Sequence, residues 1–145
     1  MSKMVYAITD LNNLPKGEYR LFTKTLSDTD AMLYAGISGE MSPSYLNEEF
    51  SSKTVLKTRT VSPMLVASIA SGAIFRLLAP ATRPISRNFS FVAPVFAGDT
   101  ITALAEVSEV FPEMNEVTVE VICYNQKEEK VLEGICREVI ILPEE

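Results

Sequence analysis

Residues 62–79 read Ser-Pro-Met-Leu-Val-Ala-Ser-Ile-Ala-Ser-Gly-Ala-Ile-Phe-Arg-Leu-Leu-Ala, and this run limits the fold more than any other. It predicts one helix. Ser62 suits the N-cap, and Pro63 suits the first helical position, where the missing N–H would be unpaired anyway. Pro80 stops the helix. The run is apolar on nearly every side, so it cannot lie on a surface. A bilayer span needs about 20 apolar residues, and Ser68, Ser71, Gly72 and Arg76 interrupt this shorter run. It reads as a buried core helix that other elements must wrap.

The wrapping elements are strands. Residues 17–26 alternate well enough for one. After an irregular leader over 1–16, and beyond that first strand, Ser27-Asp28-Thr29-Asp30 starts a helix over 29–37, with acids where a helix N-terminus favours them. Its expected buried side holds Met32, Leu33, Ala35, Gly36 and Ile37, and Ser38-Gly39 ends it. A loop over 40–45, a helical turn over 46–51 and a polar connector over 52–61 follow. Past Pro80 the period changes to two. Residues 83–93 carry Ile85, Arg87, Phe89 and Phe91 on one face, and Gly98 pivots a turn. Residues 100–111 put Ile101, Ala103, Ala105 and Val107 on one side. Residues 116–124 do the same with Val117, Val119, Val121 and Cys123, and 131–142 form the last strand. A sheet of about five antiparallel strands curling round one apolar helix satisfies these burial demands. The expected class is α+β, the hot-dog architecture, in a single domain 1–145. Its sheet leaves free edges, which a dimer would close.

Composition removes several functions. The net charge of −6 argues against nucleic acid and against an anionic membrane surface. The chain has no histidine, which excludes histidine metal sites and imidazole acid–base schemes. Its two cysteines, Cys123 and Cys136, form no CxxC pair and read as buried thiols. Neither a metal nor a cofactor is expected. The first ten residues have no long apolar core or cleavage site, so the cytoplasm is the expected location.

Three stretches resemble the MaoC-like family of (R)-specific enoyl-thioester hydratases and dehydratases. They are residues 22–30 (Phe-Thr-Lys-Thr-Leu-Ser-Asp-Thr-Asp), residues 38–45 (Ser-Gly-Glu-Met-Ser-Pro-Ser-Tyr) and residues 89–101 (Phe-Ser-Phe-Val-Ala-Pro-Val-Phe-Ala-Gly-Asp-Thr-Ile). The likeness runs from about residue 17 to 142. It implies a hot-dog fold and an acyl-thioester ligand, carried by coenzyme A or acyl carrier protein. In the family an Asp and a His of the second stretch position and activate water. A glycine N–H at the start of the central helix stabilises charge on the thioester oxygen. Here the Asp aligns with Glu40, an Asn with Ser42 and the His with Tyr45. Where the family has His-Gly-Met, this chain has Ser62-Pro63-Met64. Proline has no N–H, so the oxyanion donor is lost unless Met64 or Leu65 supplies one.

Each candidate also has a plain reading. Glu40 is a base on water or a solvated loop acid. Tyr45 is a hydrogen-bond donor or acid, or a side chain packing over the helix mouth; with a reference pKa near 10 it is a poor base at neutral pH. Ser42 bonds a thioester or caps the next turn, and no histidine or lysine is at hand to make it a nucleophile. Met32, Met41 and Met64 line an acyl tunnel or pack a core. Lys53, Lys57, Arg59, Arg83 and Arg87 meet carrier phosphates or form a solvated face. Catalysis is therefore assigned to Glu40 and Tyr45. Substrate binding is assigned to Ser42, Ser62, Met64, Leu65 and Arg87. The leading function is an acyl-thioester protein of the hydratase and dehydratase type with a remodelled site, as a homodimer. A second reading is a non-catalytic binding subunit paired with an active hot-dog partner. A third is a thioesterase using Glu40 on water at the carbonyl carbon.

Overall fold

The computed structural model describes residues 7–144; the first six residues of the expected leader, and Glu145, lie outside it. The leader carries one 3-10 turn, Leu11–Asn13. The chain then runs β1 (Tyr19–Thr25), α1 (Asp28–Ser38), α2 (Pro43–Leu46), α3 (Glu48–Ser52), α4 (Pro63–Leu78), β2 (Thr82–Phe91), β3 (Thr100–Phe111), β4 (Glu116–Tyr124) and β5 (Lys130–Ile140). The five strands form one antiparallel sheet in the order β1-β3-β4-β5-β2. This is the hot-dog fold, with α4 on the inner side of the sheet. Among the described residues no helix is long and apolar enough to cross a membrane.

The period-two faces make the inner wall. Ala105 lies opposite Val121, and Ala103 opposite Cys123, all fully or almost fully buried. Small alanines on β3 let α4 come close where the two pack. From the helix, Val66, Ala67, Ile69, Ala70, Ala73, Ile74, Leu77 and Leu78 enter this core. Burying a side chain such as Ile74 or Leu78 stabilises the fold by about 1.5–3 kcal/mol. Gly72 is required by approach: a Cβ there would stand 2.8 Å from the Phe22 ring of β1. The Arg76 guanidinium covers the same ring at 3.9 Å.

Two expectations about burial change. α4 is not apolar all round in its packing, because Met64, Ser68, Phe75 and Arg76 form an exposed stripe. One sheet wraps one side of a helix, and no described element covers the other. α1 buries Ala31 and Ala35 rather than the larger residues of its expected face, with Met32, Leu33 and Ile37 exposed. Alanines four apart let this helix lie close to the core, and the bulky side chains turn outward. The turn expected over 46–51 is two short helices, α2 and α3, joined at Asn47.

Both thiols are buried and free. The register sets Cys123 against Leu132 and Cys136 against Val119, so the sulfurs are not paired across the strands. Burial pushes the Cys123 thiol up to about 12 and the Cys136 thiol to about 11.

Candidate active site

The reversal after α1 places the carboxylate. Ser27 and Asp30 form a capping box that fixes the helix start. At the other end Gly39 takes the left-handed conformation (φ 77) and donates its N–H to Ala35 O at 2.9 Å. Ser38 Oγ donates to Tyr34 O at 2.7 Å and accepts from Glu40 N at 3.1 Å. The chain therefore folds back along its own helix. The Tyr34 hydroxyl donates to Glu40 Oε2 at 3.0 Å.

A second donor comes from α4. Ser62 is buried and caps that helix, its Oγ accepting from Met64 N at 3.2 Å. A serine hydroxyl has one proton, and the Met64 N–H cannot receive it. The proton goes to Glu40 Oε2, at 2.8 Å. One half-buried carboxylate oxygen thus accepts from two hydroxyls on different elements.

Tyr45 completes the cluster. Ser42 caps α2, its Oγ accepting from Ser44 N at 3.3 Å and lying 2.7 Å from Ser44 Oγ. Ser51 Oγ and Thr60 N donate to Ser44 O at 3.2 and 3.1 Å, which pins the turn that carries Tyr45. The phenol of Tyr45 faces Glu40. Burial first, and then the Glu40 charge, raise its pKa above the ordinary 10.0. At neutral pH it is a protonated donor. Beside it an apolar cavity of about 250 Å³ is lined by Tyr45, Pro63, Val66, Phe91, Val95 and Val131, among others.

The first turn of α4 offers little to a ligand. Pro63 has no N–H, Met64 N is bonded to Ser62 Oγ, and Leu65 N donates to Ser62 O at 3.0 Å. Arg87 sits elsewhere, on the inner sheet face. Its Nε donates to the fully buried Glu138 at 2.7 Å and its Nη1 to Ser71 Oγ at 2.7 Å. Met32, Met41 and Met64 are exposed and do not line the cavity. Arg59 pairs with Asp28 and Glu48, and Lys53 with Glu49. A larger groove of about 510 Å³ lies on the outer sheet face near Glu120, Ile122, Glu133 and Ile135 and shares no residue with the cluster. Among the described residues no group of three or more His, Cys, Asp or Glu is placed to hold a metal.

The structure thus brings Glu40, Tyr45 and Ser62 together. Met64 and Leu65 lie on the same helix turn, whereas Ser42 acts as a cap and Arg87 is tied into an ion pair. Sequence reasoning missed Tyr34. The available signal was an aromatic hydroxyl one turn ahead of a Ser-Gly helix end, a place from which the reversed chain can be reached.

The chain has counterparts in sequence and in fold among known proteins. The chain matches the family described as the MaoC like domain over residues 10–130. It is 35% identical over 112 residues to an (R)-specific enoyl-CoA hydratase of Rhodospirillum rubrum, covering 77% of this chain and 78% of that protein. It is 31% identical over 123 residues to a 3-hydroxybutyryl-CoA dehydratase of Methylorubrum extorquens, covering 84% and 78%. The unliganded R-hydratase of Pseudomonas aeruginosa superposes with a TM-score of 0.85 at 27% identity, over 95% of this chain and 88% of that one.

Proposed function

This chain belongs to the MaoC-like domain family of enoyl-CoA hydratases and dehydratases, and we propose that it hydrates an enoyl thioester, or dehydrates the 3-hydroxyacyl thioester, with Glu40 as its base and Tyr45 as its donor. The observation that carries this reading is the half-buried Glu40 carboxylate, held through one oxygen beside Tyr45 and an apolar cavity. The cavity takes the acyl chain, and the carrier, coenzyme A or acyl carrier protein, stays outside.

In hydration, Glu40 removes a proton from water as the water oxygen bonds to Cβ. The π pair moves toward the thioester, where the Tyr45 phenol donates to the developing oxyanion. This replaces the donor that Pro63 removes. Cα then takes the proton back from Glu40. Dehydration is the reverse. A carboxylate base with one positioned donor supplies about 10²–10⁴-fold from proton transfer.

The lost helix N–H also favours a second reading, a binding subunit whose active hot-dog partner supplies the missing groups. Self-association as a homodimer is supported by the exposed Met64 and Phe75 on α4 and Met32, Leu33 and Ile37 on α1, together with the free edges of β1 and β2. Light scattering is expected to give twice the chain mass. The functional test follows crotonyl-CoA for loss of its conjugated double bond and for free thiol. Loss of the double bond without thiol supports hydration. Thiol release indicates a thioesterase. Binding with neither reaction indicates the non-catalytic subunit, and no binding overturns all three.

A further inference from the structure

The Glu40 carboxylate is bonded asymmetrically. Both hydrogen bonds that the described residues make to it end on Oε2, one from Tyr34 on α1 and one from Ser62 at the start of α4. An ionised carboxylate only accepts, so both hydroxyls must donate. Ser62 donates its one proton here and accepts from Met64 N through a lone pair. Among the described residues the Tyr34 hydroxyl bonds Glu40 alone, while its main-chain oxygen is held by Ser38.

Resting on the hydratase reading above, we infer that Tyr34 is a positioning residue: with Ser62 it fixes Oε2 of Glu40, which leaves Oε1 to receive the proton of water. A glutamate side chain has three torsions, and a base must meet its proton within about 3 Å to act. Donors on two separate helices fix the end of such a chain better than either alone. Tyr45 faces the same carboxylate and Ser62 from the side of the cavity it lines. The chain thus replaces a single imidazole with a division of labour. Tyr34 and Ser62 hold the carboxylate, Glu40 moves the proton, and Tyr45 donates to the substrate.

Tyr34→Phe removes only the hydroxyl and keeps the half-buried ring. The expected result with crotonyl-CoA is a kcat lower by on the order of tenfold to a hundredfold, with KM changed by less than about twofold. A merely structural role would lower the melting temperature and the folded fraction while leaving kcat per folded molecule unchanged. Wild-type kcat per folded molecule in Tyr34→Phe overturns the assignment while leaving the hydratase reading intact. Absence of hydration in the wild-type protein overturns both.

Discussion

Two turns in this molecule are built alike and do different things. After α1, Gly39 (φ 77) is followed by Glu40; between β2 and β3, Gly98 (φ 96) is followed by Asp99. In each, a left-handed glycine turns the chain and hands it to a carboxylate. Asp99 spends its carboxylate on the scaffold. Oδ2 accepts from Phe96 N at 2.9 Å and Oδ1 from Gln126 Nε2 at 2.8 Å. Around it, Leu26 N donates to Asp99 O and Gly98 N to Leu26 O, which clamps the end of β1 to the start of β3. Glu40 accepts no main-chain N–H at all in the described bonds. It accepts two side-chain hydroxyls, on one oxygen. A carboxylate whose oxygens are both engaged, one of them by backbone, is structure. One whose hydroxyl donors meet at a single oxygen, beside a tyrosine that lines an apolar cavity, retains capacity for chemistry.

Substitutions should separate the two. Asp99→Ala leaves the half-buried Phe96 N–H without its partner and frees the exposed Gln126 Nε2, and is expected to cost about 1–3 kcal/mol in urea unfolding. Its turnover per folded molecule should stay at the wild-type level. A large loss of specific activity there would erase the distinction between the turns. Gly39→Ala and Gly98→Ala meet no atoms within 4 Å, so each should lose only the cost of the left-handed backbone, about 1 kcal/mol. Of these, only Gly39→Ala should also reduce hydration, because it moves Glu40 away from Tyr34 and Ser62.

A pH control lies on the sheet, and neither turn should alter it. Folding raises the Cys123 and Cys136 thiols from 9.0 to about 12 and about 11, mainly through burial. Their stabilising contribution is complete below pH 9 and is lost as pH climbs through the folded values. Urea midpoints should therefore fall between pH 8.5 and about 10.5. Loss of this fall in Cys123→Ala/Cys136→Ala would confirm its origin, and an unchanged fall would refute it.

The two turns also show what a sequence can display. The strands of β3 and β4 coincide with their expected bounds, because alternate burial writes a period of two directly into residue order. The 98–99 turn is legible as a Gly-Asp pivot ahead of a strand, and its Phe96 N to Asp99 Oδ2 bond spans only three residues. Glu40 was visible as a carboxylate, and Ser62 as a helix cap. Their contact was not visible, because it joins residues 22 apart, from the turn after α1 to the cap of α4. Tyr34 was hidden by the reversal at Gly39. Likewise α1 was assigned its largest apolar residues as core, although close packing selected Ala31 and Ala35.

The central claim is that a chain with no histidine places its proton transfer on Glu40. The direct test is the initial rate of crotonyl-CoA hydration by Glu40→Gln, normalised to folded protein. Glutamine keeps the shape and can still accept from Tyr34 and Ser62, but it cannot take a proton. The expected rate is lower by about 10²–10⁴-fold, with a urea midpoint near that of the wild type. A Glu40→Gln protein that hydrates at the wild-type rate would contradict it.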